Sequence, residues 1–218
     1  MSQENRKTLD VYAHNYDRYA KGYTLHDQLD PEKAAKKRAK LQELIKSSFA
    51  DCPDGAKIVE IGTGLGDEAR YLASLGYDVL ATDGVDGFLS DLAADGIKTQ
   101  KLNLLEDDFP YPVDGILCWR VFVHFTPSDL EIALKKCHDN LNPNGRFVFN
   151  LMNRDIRPVE NEWVDFPGAY HMGVERFFQY YDSKEVFKLL DKIGFTTVKY
   201  FQQGGDDNNK WLVFVVKP

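Results

Sequence analysis

Polar and apolar positions along the chain alternate between two rhythms. Strand-like runs at 58–61, 78–82, 98–102, 113–118 and 146–151 are separated by segments at 67–75, 86–94 and 128–141 in which apolar residues recur every three or four positions. The short runs predict strands buried on both faces, the wider spacing predicts amphipathic helices, and the alternation predicts β-α-β units feeding a parallel sheet. Toward the C-terminus, Asp182 or Ser183 caps a helix to about Ile193, which Gly194 ends. Runs at 196–203 and 210–217, joined through 204–209, predict a hairpin. At the other end, Leu9, Tyr12, Tyr16 and Tyr19 stand three and four apart and predict one helical face across 4–21. Pro31 opens a second helix to about Ser48, and 51–55 is the loop into the first strand. The expected fold is α/β, a Rossmann-like three-layer sandwich.

Composition narrows what such a sheet can carry. At 218 residues, 43% hydrophobic and 28% charged, the expected organisation is a single domain over 1–218. The net charge of −7 and pI of about 5.3 leave no general basic field for a phosphate backbone or an anionic membrane, so neither is expected as a partner. Lys33, Lys36, Lys37, Arg38 and Lys40 form one basic cluster, read as a solvated helix face. Cys52, Cys118 and Cys137 contain no C-x-x-C pair, which predicts reduced thiols, no metal and a cytoplasmic protein. The polar start at 2–10, and the interruption of the most apolar stretch (116–125) by Arg120, predict neither a signal peptide nor a spanning helix.

The densest chemistry lies at 57–67, Lys-Ile-Val-Glu-Ile-Gly-Thr-Gly-Leu-Gly-Asp. A buried-strand run enters glycines at 62, 64 and 66, and a helix starts at once, leaving backbone amides free to donate to a ligand. Asp83, ending the next strand, follows Gly62 by 21 residues, the distance of a carboxylate that takes a ribose diol. Glu60 would repel a pyrophosphate on this turn, and a dinucleotide fingerprint would need glycine where Asp67 stands. A ligand with a ribose, an ammonium group and no phosphate fits better.

With an acidic residue followed by G-x-G-x-G, the chain resembles the class I S-adenosylmethionine-dependent methyltransferases, from about Leu9 to the C-terminus. The resemblance implies S-adenosylmethionine as cofactor and a seven-stranded, mostly parallel sheet with one antiparallel strand at its end. It also implies an N-terminal helical lid over 1–50 and a substrate-specificity insert over 152–181. Residues 9–17 are similar to the lid segment Y-D-x-x-A-x-x-Y-D, with Leu9 in place of the first tyrosine, and 142–145 (Asn-Pro-Asn-Gly) to the turn before the fifth strand. Asn103 stands where many relatives carry an aspartate for the adenine amino group, and His124 at the second His of an L-H-H-L helix start. The cofactor-binding residues expected are Tyr16, Tyr19, Glu60, Gly62, Thr63, Gly64, Gly66, Asp83, Gly84, Asn103, Leu104, Trp119 and Arg120.

The loop after the fourth strand, 119–125, should face cofactor and substrate, because ligands of open α/β sheets sit beyond the carboxyl ends of the central strands. A buried arginine needs an anionic partner. Arg120 therefore either pairs with a nearby acid such as Glu60 or Asp83, or binds a carboxylate of cofactor or acceptor. Trp163, Tyr170, His171 and Arg176 are the substrate-binding candidates in the insert, together with Arg120, and equally fit an ordinary core. Arg120, Arg154, Arg157 and Arg176 hint at a carboxylate or phosphate on the acceptor. His171 and His124 are the candidate bases, with Tyr16 as an alternative hydrogen-bonding partner. N-P-P-Y, D-P-P-Y and Pro-Cys motifs are absent. The expected reaction is therefore methyl transfer to an N, O or S atom of a small molecule, by a monomer or homodimer. A non-catalytic S-adenosylmethionine-binding module and an NAD(P)-dependent oxidoreductase remain as alternatives.

Overall fold

The structure is a computed structural model and describes residues 1–155, 158–166, 171–203 and 210–218. Strands β1 (Lys57–Ile61), β2 (Asp78–Asp83), β3 (Lys98–Lys101), β4 (Val113–Cys118) and β5 (Leu141–Asn153) run parallel in the order β3-β2-β1-β4-β5. In β1, Ile58, Val59, Glu60 and Ile61 are all buried, as a strand covered on both faces requires. Ile58 joins the apolar cluster under α3 (Pro31–Phe49), α4 (Asp67–Ser74) and α5 (Asp86–Ala94). Val59 and Ile61 join the opposite cluster, under α6 (Pro127–Asn140) and α7 (Ser183–Ile193). One strand thus feeds both sides of a three-layer sandwich, as its period of two dictates.

Local chemistry sets the helix ends where the sequence puts them. Asp30, Thr126 and Asp182 accept hydrogen bonds from first-turn amides of α3, α6 and α7, Pro31 and Pro127 sit in the first turns, and Gly194 ends α7 at φ 110°. Residues 142–145 bulge from β5: Leu141 pairs with Val113 and Arg146 with Gly115, so four residues of β5 pass while β4 advances by Asp114 alone.

Three features differ from expectation. The antiparallel strand is not at the sheet's end: β9 (Trp211–Lys217) lies between β5 and β8 (Thr196–Gln203), antiparallel to both. The reason is burial, since Leu212–Val216 are all buried whereas β8 is half exposed, and the more apolar strand takes the inner position. The insert adds β6 (Asn161–Val164) and β7 (Arg176–Tyr181), so among the described residues the sheet has nine strands rather than seven; β7 joins β5 through Met152↔Tyr180 and Asn153↔Tyr181. The first helix is two, α1 (Gln3–His14) and α2 (Tyr16–Leu29), broken at Asn15. Asn15 leaves the helical region (φ −120°, ψ 21°), and its side-chain amide donates to the Val11 carbonyl, the local competition that makes asparagine a helix terminator.

From β1 the chain winds outward through β2 to β3, then crosses back to β4 and β5 on the other side. The connections diverge at the carboxyl ends of β1 and β4, where an open α/β sheet offers its ligand crevice. No described helix is long and apolar enough to cross a membrane.

Candidate active site

A pocket opens at that divergence. Its floor is the turn after β1, Gly62–Gly66; its sides are Asp83–Val85 after β2, Leu102–Leu104 after β3 and Trp119–Val121 after β4; its roof is Thr8, Leu9 and Tyr12 of α1 with Tyr19 and Tyr23 of α2. Two glycines of the floor are needed for different reasons. A Cβ on Gly62 (φ 68°) would lie 2.2 Å from Val121 Cγ2, so this glycine lets the loop after β4 pack onto the turn. A Cβ on Gly64 (φ 52°) would meet nothing within 4 Å, so what favours glycine here is its positive φ.

Carboxylates dominate the lining. Glu60 is buried with its Oε2 accepting from Thr63 Oγ1 at 2.5 Å. Burial pushes its pKa well up, the charges of Glu68, Asp83 and Asp67 push the same way, and the Thr63 hydroxyl opposes them. Asp83 accepts from Gly64 N at 3.1 Å on one oxygen and Val85 N at 2.9 Å on the other. Burial nevertheless raises its pKa to about 6. A carboxylate offers about four acceptor sites, so acceptor capacity remains for a ligand. Asp67 and Glu68, in the first turn of α4, complete the acidic set. Four acids face one arginine in this lining, which suits a cationic, diol-bearing ligand and opposes a phosphate.

Most of the residues singled out in the sequence meet here: Tyr19, Glu60, Gly62, Thr63, Gly64, Gly66, Asp83, Gly84, Asn103, Leu104, Trp119, Arg120 and His124 all line the pocket. Asn103 Oδ1 accepts from Leu105 N at 3.1 Å, which holds the loop after β3 in a tight turn. Arg120 is exposed, and its charge draws the Glu68 pKa down against a larger upward push from burial. Its backbone is in the left-handed region (φ 62°), the one non-glycine residue so placed among those described, and its N–H donates to Asn150 Oδ1 at 2.6 Å.

Other expectations are corrected. Tyr16 stands outside the lining: the break at Asn15 turns it away from Tyr12, its hydroxyl donates to Asp91 at 2.5 Å, and its ring lies over Gly87 and against Phe88. His171 is also outside, half exposed and paired with Asp165 at 2.7 Å. Trp163 packs on Phe177, under the Lys7 ammonium. Arg176 is buried behind the pocket wall, its Nη1 donating to Tyr12 Oη at 3.1 Å. Tyr170 and Arg157 lie outside the described residues, and no described residue of 152–181 lines the pocket.

Conversely, Asn5, Thr8, Tyr12, Tyr23, Phe88, Asp67 and Glu68 line it without having been singled out as site residues. Tyr12 was legible only as part of the helical face. The signal for it was Asn15, a helix terminator placed between two tyrosines that cannot then share one face. Tyr12 Oη is 3.1 Å from His124 Nε2, and His124 Nδ1 is 2.6 Å from the Phe177 carbonyl oxygen. Burial, helped by the Arg176 charge, lowers the His124 pKa to about 4, so the imidazole is neutral at pH 7.

The comparisons with known proteins agree with this geometry. A family model described as "Methyltransferase domain" matches residues 33–200. The chain is 28% identical over 206 residues to an uncharacterized methyltransferase of Geobacillus kaustophilus, covering 90% of this chain and 91% of that one. It is 31% identical over 114 residues to the ubiquinone biosynthesis O-methyltransferase of Bradyrhizobium diazoefficiens, covering 48% and 43%. The structure of magnesium protoporphyrin IX methyltransferase from Synechocystis with bound S-adenosylmethionine superimposes with a TM-score of 0.73 at 12% identity, covering 100% of this chain and 98% of that one. The oxidoreductase alternative falls with the family match: the chain belongs to the methyltransferase domain family.

Proposed function

We propose that the pocket holds S-adenosylmethionine and that the enzyme methylates an N, O or S atom of a small molecule entering beside α1 and α2. The observation that carries this reading is the lining itself, with four carboxylates around an uncovered glycine turn. In it, Asp83 takes the ribose hydroxyls, Asn103 and Leu104 take the adenine, and Glu60 and the turn amides face the methionine end. Bound there, the cofactor supplies a methyl group already activated by its sulfonium. What remains for this chain is alignment and exclusion of water, worth roughly 7–11 kcal/mol when reactants are held in register.

Thr8, Leu9, Tyr12 and Tyr19 form the roof that excludes water, and Leu9 packs so close to Gly84 that a Cβ there would come within 2.8 Å. The tyrosines and Phe88 offer aromatic faces to a cationic centre. Of the two histidines proposed as bases, His124 is the one in the pocket. Arg120, drawn to Glu68, is the group that would meet a carboxylate on the acceptor. Calorimetry tests the cofactor reading: S-adenosylhomocysteine should bind at micromolar Kd or tighter, about −8 kcal/mol, and NADH not measurably. The reverse preference would overturn it. Methyl transfer from radiolabelled S-adenosylmethionine into fractionated metabolite pools tests the acceptor class, and transfer only into protein or RNA refutes a small molecule.

A further inference from the structure

Three side chains form one hydrogen-bonded line into the pocket, and its direction is determined by chemistry. The Phe177 carbonyl can only accept, so at 2.6 Å the His124 Nδ1 carries the proton. In the neutral ring Nε2 is then an acceptor, and the bond at 3.1 Å must be donated by the Tyr12 hydroxyl. Arg176 Nη1 cannot accept, so it donates to the same phenolic oxygen. A phenol oxygen has two lone pairs; one receives Arg176, which leaves the other unfilled on a residue that lines the pocket.

We propose that Tyr12 is a catalytic residue: its oxygen accepts the proton that the acceptor's nucleophilic atom gives up, while its own proton passes to His124 Nε2. As the nucleophile's electron pair forms the new bond to the methyl carbon, the carbon–sulfur pair stays on sulfur. The proton from the nucleophile goes to Tyr12 Oη, and the Tyr12 proton goes to Nε2, leaving Tyr12 neutral throughout. Arg176 is a positioning residue: it lies outside the pocket lining and orients the phenol from behind. This rests on the reading that S-adenosylmethionine occupies the pocket.

The surroundings suit a relay rather than a proton store. The charged groups facing Tyr12 are Arg176 on β7 and Asp83 at the end of β2, and burial raises the phenol pKa despite Arg176, so the hydroxyl keeps its proton at neutral pH. His124, buried against Phe178 and near Arg176, is a weak base, so its imidazolium is short-lived and returns the proton through Tyr12 to the pocket once the product has left. The line serves to keep a proton moving away from the nucleophile at the moment the bond forms.

The test needs no acceptor. Sinefungin carries an amine, an N–H donor, where S-adenosylmethionine carries its methyl sulfonium, whereas S-adenosylhomocysteine carries only a thioether. In Tyr12→Phe, calorimetry should show sinefungin weakened about tenfold, the worth of one hydrogen bond to a charged group, with S-adenosylhomocysteine changed by less than about twofold. Equal weakening of both ligands, or of neither, overturns the proposal. In the unaltered protein, 15N NMR of His124 should place Nε2 further upfield with sinefungin than with S-adenosylhomocysteine, because a donor on the Tyr12 oxygen strengthens the bond Tyr12 itself donates. Identical Nε2 shifts overturn the proposal even where Tyr12→Phe does not fold. Failure of the unaltered protein to bind either ligand refutes instead the cofactor reading on which the proposal rests.

Discussion

Asp83→Asn should move stability and cofactor affinity in opposite directions. The Asp83 carboxyl titrates near pH 6, above the ordinary value of 3.8. A folded-state pKa raised in this way means the folded protein binds the extra proton between pH 4 and 6. Stability is therefore highest below the unfolded pKa and is lost as pH rises through the folded one. At pH 7 the buried charge costs about 3 kcal/mol. Asparagine removes that charge but must turn its amide NH2 toward Gly64 N or Val85 N, both of which donate, at a cost of about 1–3 kcal/mol. The net change is about 0–2 kcal/mol in favour of the variant, a melting temperature unchanged or higher by up to about 8 °C at this chain length. The proposed ribose contacts, by contrast, are charge-assisted, and losing them should weaken S-adenosylhomocysteine by about 2–4 kcal/mol. Scanning calorimetry and titration calorimetry at pH 7.5 read both quantities. In the unaltered protein affinity should also decline as pH falls below about 6, a decline the Asn variant lacks. An unchanged Kd at pH 7.5 refutes the ribose assignment; a weaker Kd accompanied by a lower melting temperature refutes the argument that burial, rather than structure, sets the Asp83 pKa.

The glycine turn offers a paired comparison: Gly62→Ala should lose about 2–4 kcal/mol of stability through its clash with Val121 and its positive φ, seen as early thermal unfolding. Gly64→Ala should cost only about 1–2 kcal/mol of stability yet lower S-adenosylhomocysteine affinity, because Gly64 lines the pocket and a Cβ there meets no protein atom; a normal Kd would show the cofactor lies elsewhere. Tyr16→Phe, which removes an exposed hydrogen bond to Asp91, should change cofactor Kd by less than about twofold and stability by less than about 1 kcal/mol. Arg120→Lys separates two roles through KM and melting temperature. Loss of stability marks Arg120 as the partner of Glu68, and an intact fold with KM for the acceptor raised about tenfold marks it as an acceptor ligand.

The elements legible in the sequence were those whose burial pattern is local. The helix at 86–94 and the strands at 57–61 and 113–118 announce themselves because both faces of each strand, and one stripe of the helix, are apolar wherever the chain folds. The acid-and-glycine turn was legible for the same reason, as strand, turn and helix lie consecutively in sequence. What escaped depends on partners far along the chain. β6 and β7 carry polar residues, and β7 is buried by β5, β6, α1 and the 122–124 turn, all distant in sequence or themselves unannounced. The inner position of β9 is a competition between two adjacent strands for one site on β5, decided by burial and not by either strand alone. Tyr12 and Tyr16 looked equivalent at helical spacing, and a single asparagine sends one into the pocket and the other to α5. Arg120 lines the pocket, but Glu68, the acid whose pKa its charge lowers, sits in a helix whose first turn gave no separate signal.

The backbone of Phe177 carries a further meaning. On the side of β7 away from β6, its N–H donates to the Thr8 hydroxyl at 3.1 Å and its carbonyl receives His124 Nδ1 at 2.6 Å. Two side chains thus occupy the donor and acceptor that a neighbouring strand would otherwise use. β7 pairs with β5 only at Tyr180 and Tyr181, which leaves a short stretch of its edge before them open to pairing with a foreign chain, and α1 and the loop after β4 fill that stretch. Shortening the chain by its first helix would uncover that edge along with the pocket roof. The truncated protein should then self-associate through β7, and light scattering, rather than any assay of catalysis, is where the damage would first be seen.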